Sequence, residues 1–162
     1  MKQVFIISGL KEKIIFFSLV YITLIISFAL GENSTGGAIL DYINQKEISR
    51  NFAKDFTKTL FNYDQFTTRH SPVFIIFLSF FEKIELQDFI IRLIHLHICL
   101  LLPLIFFLCL EKRFKNINNN YFLILVGLIF LSPTYRSLSI WPDSRLLGLT
   151  TFCFSIFFYL KF

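Results

Sequence analysis

Residues 14–31 read IIFFSLVYITLIISFALG, eighteen consecutive residues without a charged side chain. At about 1.5 Å of helical rise per residue, the run nearly crosses a hydrocarbon core of about 30 Å. Lys11 and Lys13 precede it, and few basic residues follow closely. A cleaved signal peptide is the rival reading. The run is long for a signal core, and no clean small-x-small site follows it. An uncleaved helix over 14–31 with a cytoplasmic N-terminus is therefore expected.

The rest of the chain repeats the theme. Val73–Phe81 is apolar but short, so it either spans by recruiting polar flanks or dips in and returns. Leu93–Leu110 is a second run of eighteen residues without Lys, Arg, Asp or Glu, and it contains Pro103. Tyr121–Tyr135 and Leu146–Leu160 are two further blocks. The expected fold is an all-α polytopic membrane protein with four or five hydrophobic helices. The 162 residues form a single membrane domain: first helix 14–31, extracytoplasmic loop 32–72, further segments 73–162.

Composition agrees. The hydrophobic fraction is 55%, mean hydropathy is +0.65 and there are 23 Phe, more apolar surface than a soluble domain of this size could hide. The net charge of +5 comes from short clusters beside apolar blocks, where headgroups and the positive-inside rule explain it, so no nucleic-acid partner is expected. Cys99, Cys109 and Cys153 all lie in apolar blocks with no CxxC pair, which reads as packing rather than disulfide or zinc chemistry. No phosphate-binding loop, dinucleotide fingerprint or hydrolase triad is present, and neither metal nor cofactor is expected.

Between the first two apolar blocks lies Gly31–Pro72, GENSTGGAILDYINQKEISRNFAKDFTKTLFNYDQFTTRHSP, with five acidic and five basic residues. Ser34–Gly37 is a turn. From Ala38 the pattern is helical. Ile48, Phe52, Phe56 and Leu60 recur every four residues with polar residues between them, which predicts an amphipathic helix lying in the membrane interface or packed on protein. Asn62–Asp64 breaks it, and 67–72 is extended. A second polar island is Ser132–Arg145, SPTYRSLSIWPDSR. If every block spans, the basic loop Lys112–Lys115 lies outside and this island inside. If Val73–Phe81 is re-entrant, the loop is cytoplasmic and both islands face outward together, as the positive-inside rule favours.

The order of these features resembles the N-terminal part of the GT-C glycosyltransferases, in particular bacterial proteins of the dolichyl-phosphate-mannose-protein mannosyltransferase and lipid A aminoarabinose transferase type. The residues that carry the resemblance are Gly36–Tyr42 (GGAILDY), Arg69–Phe74 (RHSPVF), Arg92–His95 (RLIH) and Ser132–Arg136 (SPTYR). A lone Asp41 and Ser71-Pro72 stand where the family usually has a tandem acidic pair or Pro-Pro, and the chain has fewer membrane segments than the family's members. The resemblance implies transfer of a sugar from a polyprenyl-phosphate donor to an extracytoplasmic acceptor in a bacterial inner membrane. The implied partners are the donor, membrane lipids and a C-terminal partner chain completing the enzyme. The alternatives are a non-catalytic membrane scaffold or transporter subunit, and an inactive truncated product.

Such a transfer needs a base for the acceptor's proton and donors or cations for the departing phosphate. The resemblance points to Asp41 as the base. It follows a flexible glycine pair and precedes the amphipathic helix, although an acid there also suits a helix start. Asp64, in a turn sequence, is the second candidate. Arg69 and His70, just before a membrane segment, suit a lipid-linked phosphate or anchor a helix end. In the second island Arg136, with Trp141 and Arg145, could hold phosphate, and Asp143 could accept a sugar hydroxyl. His95 and His97 point about 200° apart on a helix and share no metal; His95 reads as an interhelical contact.

Overall fold

The computed structural model describes residues 2–34, 36–68 and 70–162, with side chains described from residue 9 onward. All regular structure among the described residues is helical: α1 (Lys2–Leu30), α2 (Ala38–Lys54), α3 (Phe56–Phe61), a 3-10 turn (Tyr63–Phe66), α4 (Pro72–Lys83), α5 (Asp88–Arg113), α6 (Asn119–Leu131), α7 (Pro133–Ile140) and α8 (Ser144–Lys161). Two segments are long and apolar enough to cross a membrane, Gly9–Leu30 and Asp88–Arg113. The pair α6 and α7 reaches that standard only jointly, and it is bent by 70° at Ser132.

The two long helices run antiparallel. Lys13 pairs with Glu111 at one end. The Tyr21 hydroxyl meets His97 Nε2 at 3.1 Å midway. Phe28 packs edge-on against Phe89 at the other end. α6 starts beside Glu111, which accepts from Asn119 at 2.6 Å. α8 runs alongside α5, with Leu147 packed against the cluster of Phe74, Leu78 and Ile91, and with the Cys153 carbonyl accepting from the Cys109 thiol. Leu24, Leu96, Cys99, Val126 and Ile140 are fully buried between these helices. Ile15, Leu19, Ile22 and Ile26 on α1 and Phe152, Phe158 and Tyr159 on α8 face outward. An apolar exterior on helices of this length suits hydrocarbon rather than water.

Local chemistry sets the ends. Gly31 adopts φ +62°, and the amides of Gly31 and Glu32 return to the carbonyls of Phe28 and Ser27. That is a Schellman stop, where a residue without Cβ is favoured. Pro103 inside α5 has no amide proton for the carbonyl four residues earlier. That carbonyl, Cys99 O, instead accepts from the Tyr135 hydroxyl of α7 at 2.9 Å. The C-terminal carbonyls of α7 are met by α5 as well. Arg92 Nε donates to Ile140 O at 3.0 Å, and the buried His95 donates from Nε2 to Leu138 O at 3.0 Å. Three side-chain bonds thus fasten α7 to α5, and His95 is the interhelical contact expected. Replacing Tyr135 by Phe leaves Cys99 O without its partner, and thermal unfolding in detergent should show a loss of about 1–2 kcal/mol.

The short block 73–81 lies within α4, whose 12 residues rise about 18 Å at 1.5 Å each. It packs along α2 rather than beside α1. Ile75 is buried with Ile48 and Phe52, and Glu82 near the other end of α4 pairs with Lys46 and Arg50. Lys46 also pairs with Asp88 at the start of α5. Both ends of α4 therefore stay with the 32–72 segment, and both polar islands lie at the same end of the helices.

Two local expectations change. The periodic helix through Leu60 is interrupted at Asp55, where φ −149° and ψ 94° end α2 and the carboxylate caps α3 by accepting from Lys58 N at 3.0 Å. Ile48 and Phe52 consequently pack on α4, whereas Phe56 and Leu60 are exposed. The third block stops at Leu131 rather than Tyr135, because Ser132 caps a new helix and Pro133 occupies its first turn.

Candidate functional site

Asp41 sits in the first turn of α2, after Gly36, whose φ of +69° turns the chain back from α1. Asp143 is the residue before α8 and caps it, accepting from Arg145 N at 2.7 Å. The Arg145 guanidinium joins the two: Nη2 lies 2.7 Å from Asp41 Oδ2, and Nε and Nη2 lie 2.8 and 2.9 Å from the two Asp143 oxygens. His70, just before α4, places Nδ1 3.3 Å from the Ser144 hydroxyl. Three segments far apart in sequence thus converge where α2, α4 and α8 begin.

The electrostatics are uneven. Asp143 has no solvent exposure, and burial pushes its carboxyl up. The hydrogen bonds and charge of Arg145 outweigh burial and hold it below the usual carboxylate range. Two carboxylates share one guanidinium, leaving an excess negative charge. Beside them is a cavity of about 530 Å³ lined by Asp41, Asn44, Gln45, Glu47, Thr68 and His70, with Ile48, Asn51, Phe66 and Thr67 completing it.

A second cluster ties the islands nearer α1. Glu32 takes three contacts from Arg136 Nε and Nη2 at 2.9–3.1 Å, and Arg136 Nη1 donates to Phe130 O at 2.7 Å. The Trp141 indole donates to Glu32 O at 3.0 Å. Arg92 stacks over Trp141 at 3.6 Å and also lies over Phe28 at 4.8 Å. Arg136 holds the Glu32 carboxyl down to about 2, against the raising effect of burial. A carboxylate with a depressed native value stabilises above its unfolded value of 4.5, and that contribution is lost as pH falls toward about 2. Melting temperature measured over that window should fall in the native chain, and Glu32→Gln should already lack this component at neutral pH.

Of the residues the sequence singled out, the fold brings Asp41, His70 and Asp143 together. Asp64 lies exposed in the 3-10 turn and is not among the cavity-lining residues. Arg136 belongs to the Glu32 cluster. Arg69 lies outside the described residues. Sequence reasoning passed over Gln45 and Glu32. Tyr42, Gln45, Ser49 and Phe52 recur at spacings of three, four and three, so the buried stripe of α2 was present in the sequence, but two of its members are polar. Comparison of the chain with protein-family models, curated proteins and solved structures finds no match.

Proposed function

We propose that this chain is a membrane glycosyltransferase module of the GT-C type, moving a sugar from a polyprenyl-phosphate donor to an extracytoplasmic acceptor. The observation that carries the reading is the convergence of Asp41, His70, Asp143 and Arg145 beside a polar cavity, at one end of helices apolar enough for a bilayer. Lipid-linked chemistry requires reactive groups at that depth.

In the proposed step the acceptor oxygen attacks the anomeric carbon, the bond from that carbon to the donor phosphate breaks, and the acceptor proton passes to Asp41. Arg145 binds only Oδ2 of Asp41, leaving Oδ1 for the proton. The departing phosphate meets Arg145 and His70. Asp64 and Arg136 have no part in this step.

The same reading puts four passes in a bacterial inner membrane, α1, α5, α6 with α7, and α8, with α2–α4 in the outer interface. Charge supports the direction. The end with Lys2, Lys11, Lys13, the 111–115 turn and Lys161 carries seven basic and two acidic residues, while the other end carries nine of each. All of the net charge of +5 thus sits at the end assigned to the cytoplasm.

The test is release of polyprenyl phosphate from polyprenyl-phosphate sugars by the purified chain in nanodiscs. Release that requires an acceptor supports the proposal; none with any donor contradicts it. One observation favours a non-catalytic scaffold instead: Asp41, Glu32, Asp88 and Glu82 are all already ion-paired. In a scaffold these pairs are structural, and conservative change at Asp41 has no functional effect.

A further inference from the structure

We infer that the cavity beside Asp41 receives a neutral, polyhydroxylated group, and that Gln45 is the residue that reads it. The inference deepens the transferase reading and rests on it for the choice of a sugar. Its physical basis is separate. Gln45 is 1% exposed, and among the described residues neither its amide nitrogen nor its amide oxygen has a partner. A buried amide without hydrogen bonds is costly, and most buried polar groups in folded proteins are paired. Gln45 follows Asp41 by one helical turn, so both side chains lie on one face of α2 and line the same cavity.

The lining defines the ligand's chemistry. Asn44 and Gln45 each offer a donor and an acceptor, Thr67 and Thr68 offer hydroxyls, and Asp41 and Glu47 accept. Among the described residues that line the cavity, none is lysine or arginine. A phosphate or uronate would face carboxylates there, and a hydrocarbon would leave the Gln45 amide unpaired. A sugar hydroxyl donates and accepts at once, matching an amide that presents one group of each kind. The phosphate then belongs at the edge of the cavity, between Arg145 and His70, and the sugar inside it. The cavity volume of about 530 Å³ lies in the range of small-molecule sites and admits a monosaccharide ring with its hydration.

The test is saturation-transfer NMR on the full chain in nanodiscs. The probes are the methyl glycosides of glucose, galactose and mannose, with glucuronate and inorganic phosphate as anionic controls. At least one neutral glycoside should bind in the millimolar range, with both anions at least about tenfold weaker. Gln45→Leu should weaken that binding about tenfold, while its melting temperature stays level or rises because an unpaired amide has been removed. Gln45→Met, of similar shape, should do the same if the leucine variant folds poorly. Absence of glycoside binding, unchanged binding in both variants, or equal binding of an anion overturns the inference. Glycoside binding that depends on Gln45 without any sugar transfer would uphold it and remove the transferase reading. Transfer without dependence on Gln45 would do the reverse.

Discussion

On the proposed transferase reading, replacing Asp41 by Asn lowers kcat about 10²–10⁴-fold, while the melting temperature barely changes. The size is that of a lost general base. The mild effect on stability follows from the contact geometry. An Asn oxygen can still accept from Arg145 Nη2, and Arg145 keeps its bonds to Asp143. Asp41 is also the half-exposed partner, so loss of its charge disturbs the pair by well under about 1 kcal/mol. Because the base acts on the proton in the transition state, kcat and kcat/KM should fall together, with KM little altered. A rate equal to that of the native chain would leave the Asp41–Arg145 contact as a structural ion pair and favour the scaffold.

Replacing Asp143 by Ala costs about 2–4 kcal/mol, the largest stability loss expected outside the apolar core. Two effects combine. The carboxylate caps α8 through Arg145 N, and a lost cap costs about 1 kcal/mol. It is also fully buried and accepts two charge-assisted bonds from the Arg145 side chain, and their loss adds about 1–3 kcal/mol, held to that size because Arg145 is half-exposed and keeps Asp41. Asn caps nearly as well as Asp. Asp143→Asn therefore isolates the charge, and its loss should fall between those of the native and alanine chains. Unfolding followed by circular dichroism in detergent gives the order native, Asn, Ala. Equal midpoints for all three would mean that the start of α8 is not held as described.

The legible part of this fold was what length and charge alone decide. Runs of eighteen uncharged residues identify α1 and α5, because few soluble environments accept them. The short block 73–81 was legible as an anomaly, and the fold explains it through the pairing of Glu82 with Lys46 and Arg50, partners more than thirty residues away that no periodicity connects. The break at Asp55 went unread because Ile48, Phe52, Phe56 and Leu60 keep step across it. A single carboxylate that can cap Lys58 N overrides that period. At the site, Asp41, His70 and Asp143 were legible as residue types in polar islands. Their convergence was not, since it depends on α7 being fastened to α5 by Arg92, His95 and Tyr135. The partner of Arg136 was equally hidden: Glu32 follows a helix stop and is set in place by Gly31.

The central claim is that the two polar islands share one face of the membrane, opposite the basic turn after α5. Single cysteines at Lys58 and Asn118, both exposed, and at Ser144, half-buried at the start of α8, in a background lacking Cys99, Cys109 and Cys153, test it in intact cells with a membrane-impermeant maleimide. The account predicts labelling at 58 and 144 and protection at 118 until the membrane is opened. Labelling at 58 and 118 with protection at 144 would place the islands on opposite faces, separate Asp41 from Arg145, and contradict it.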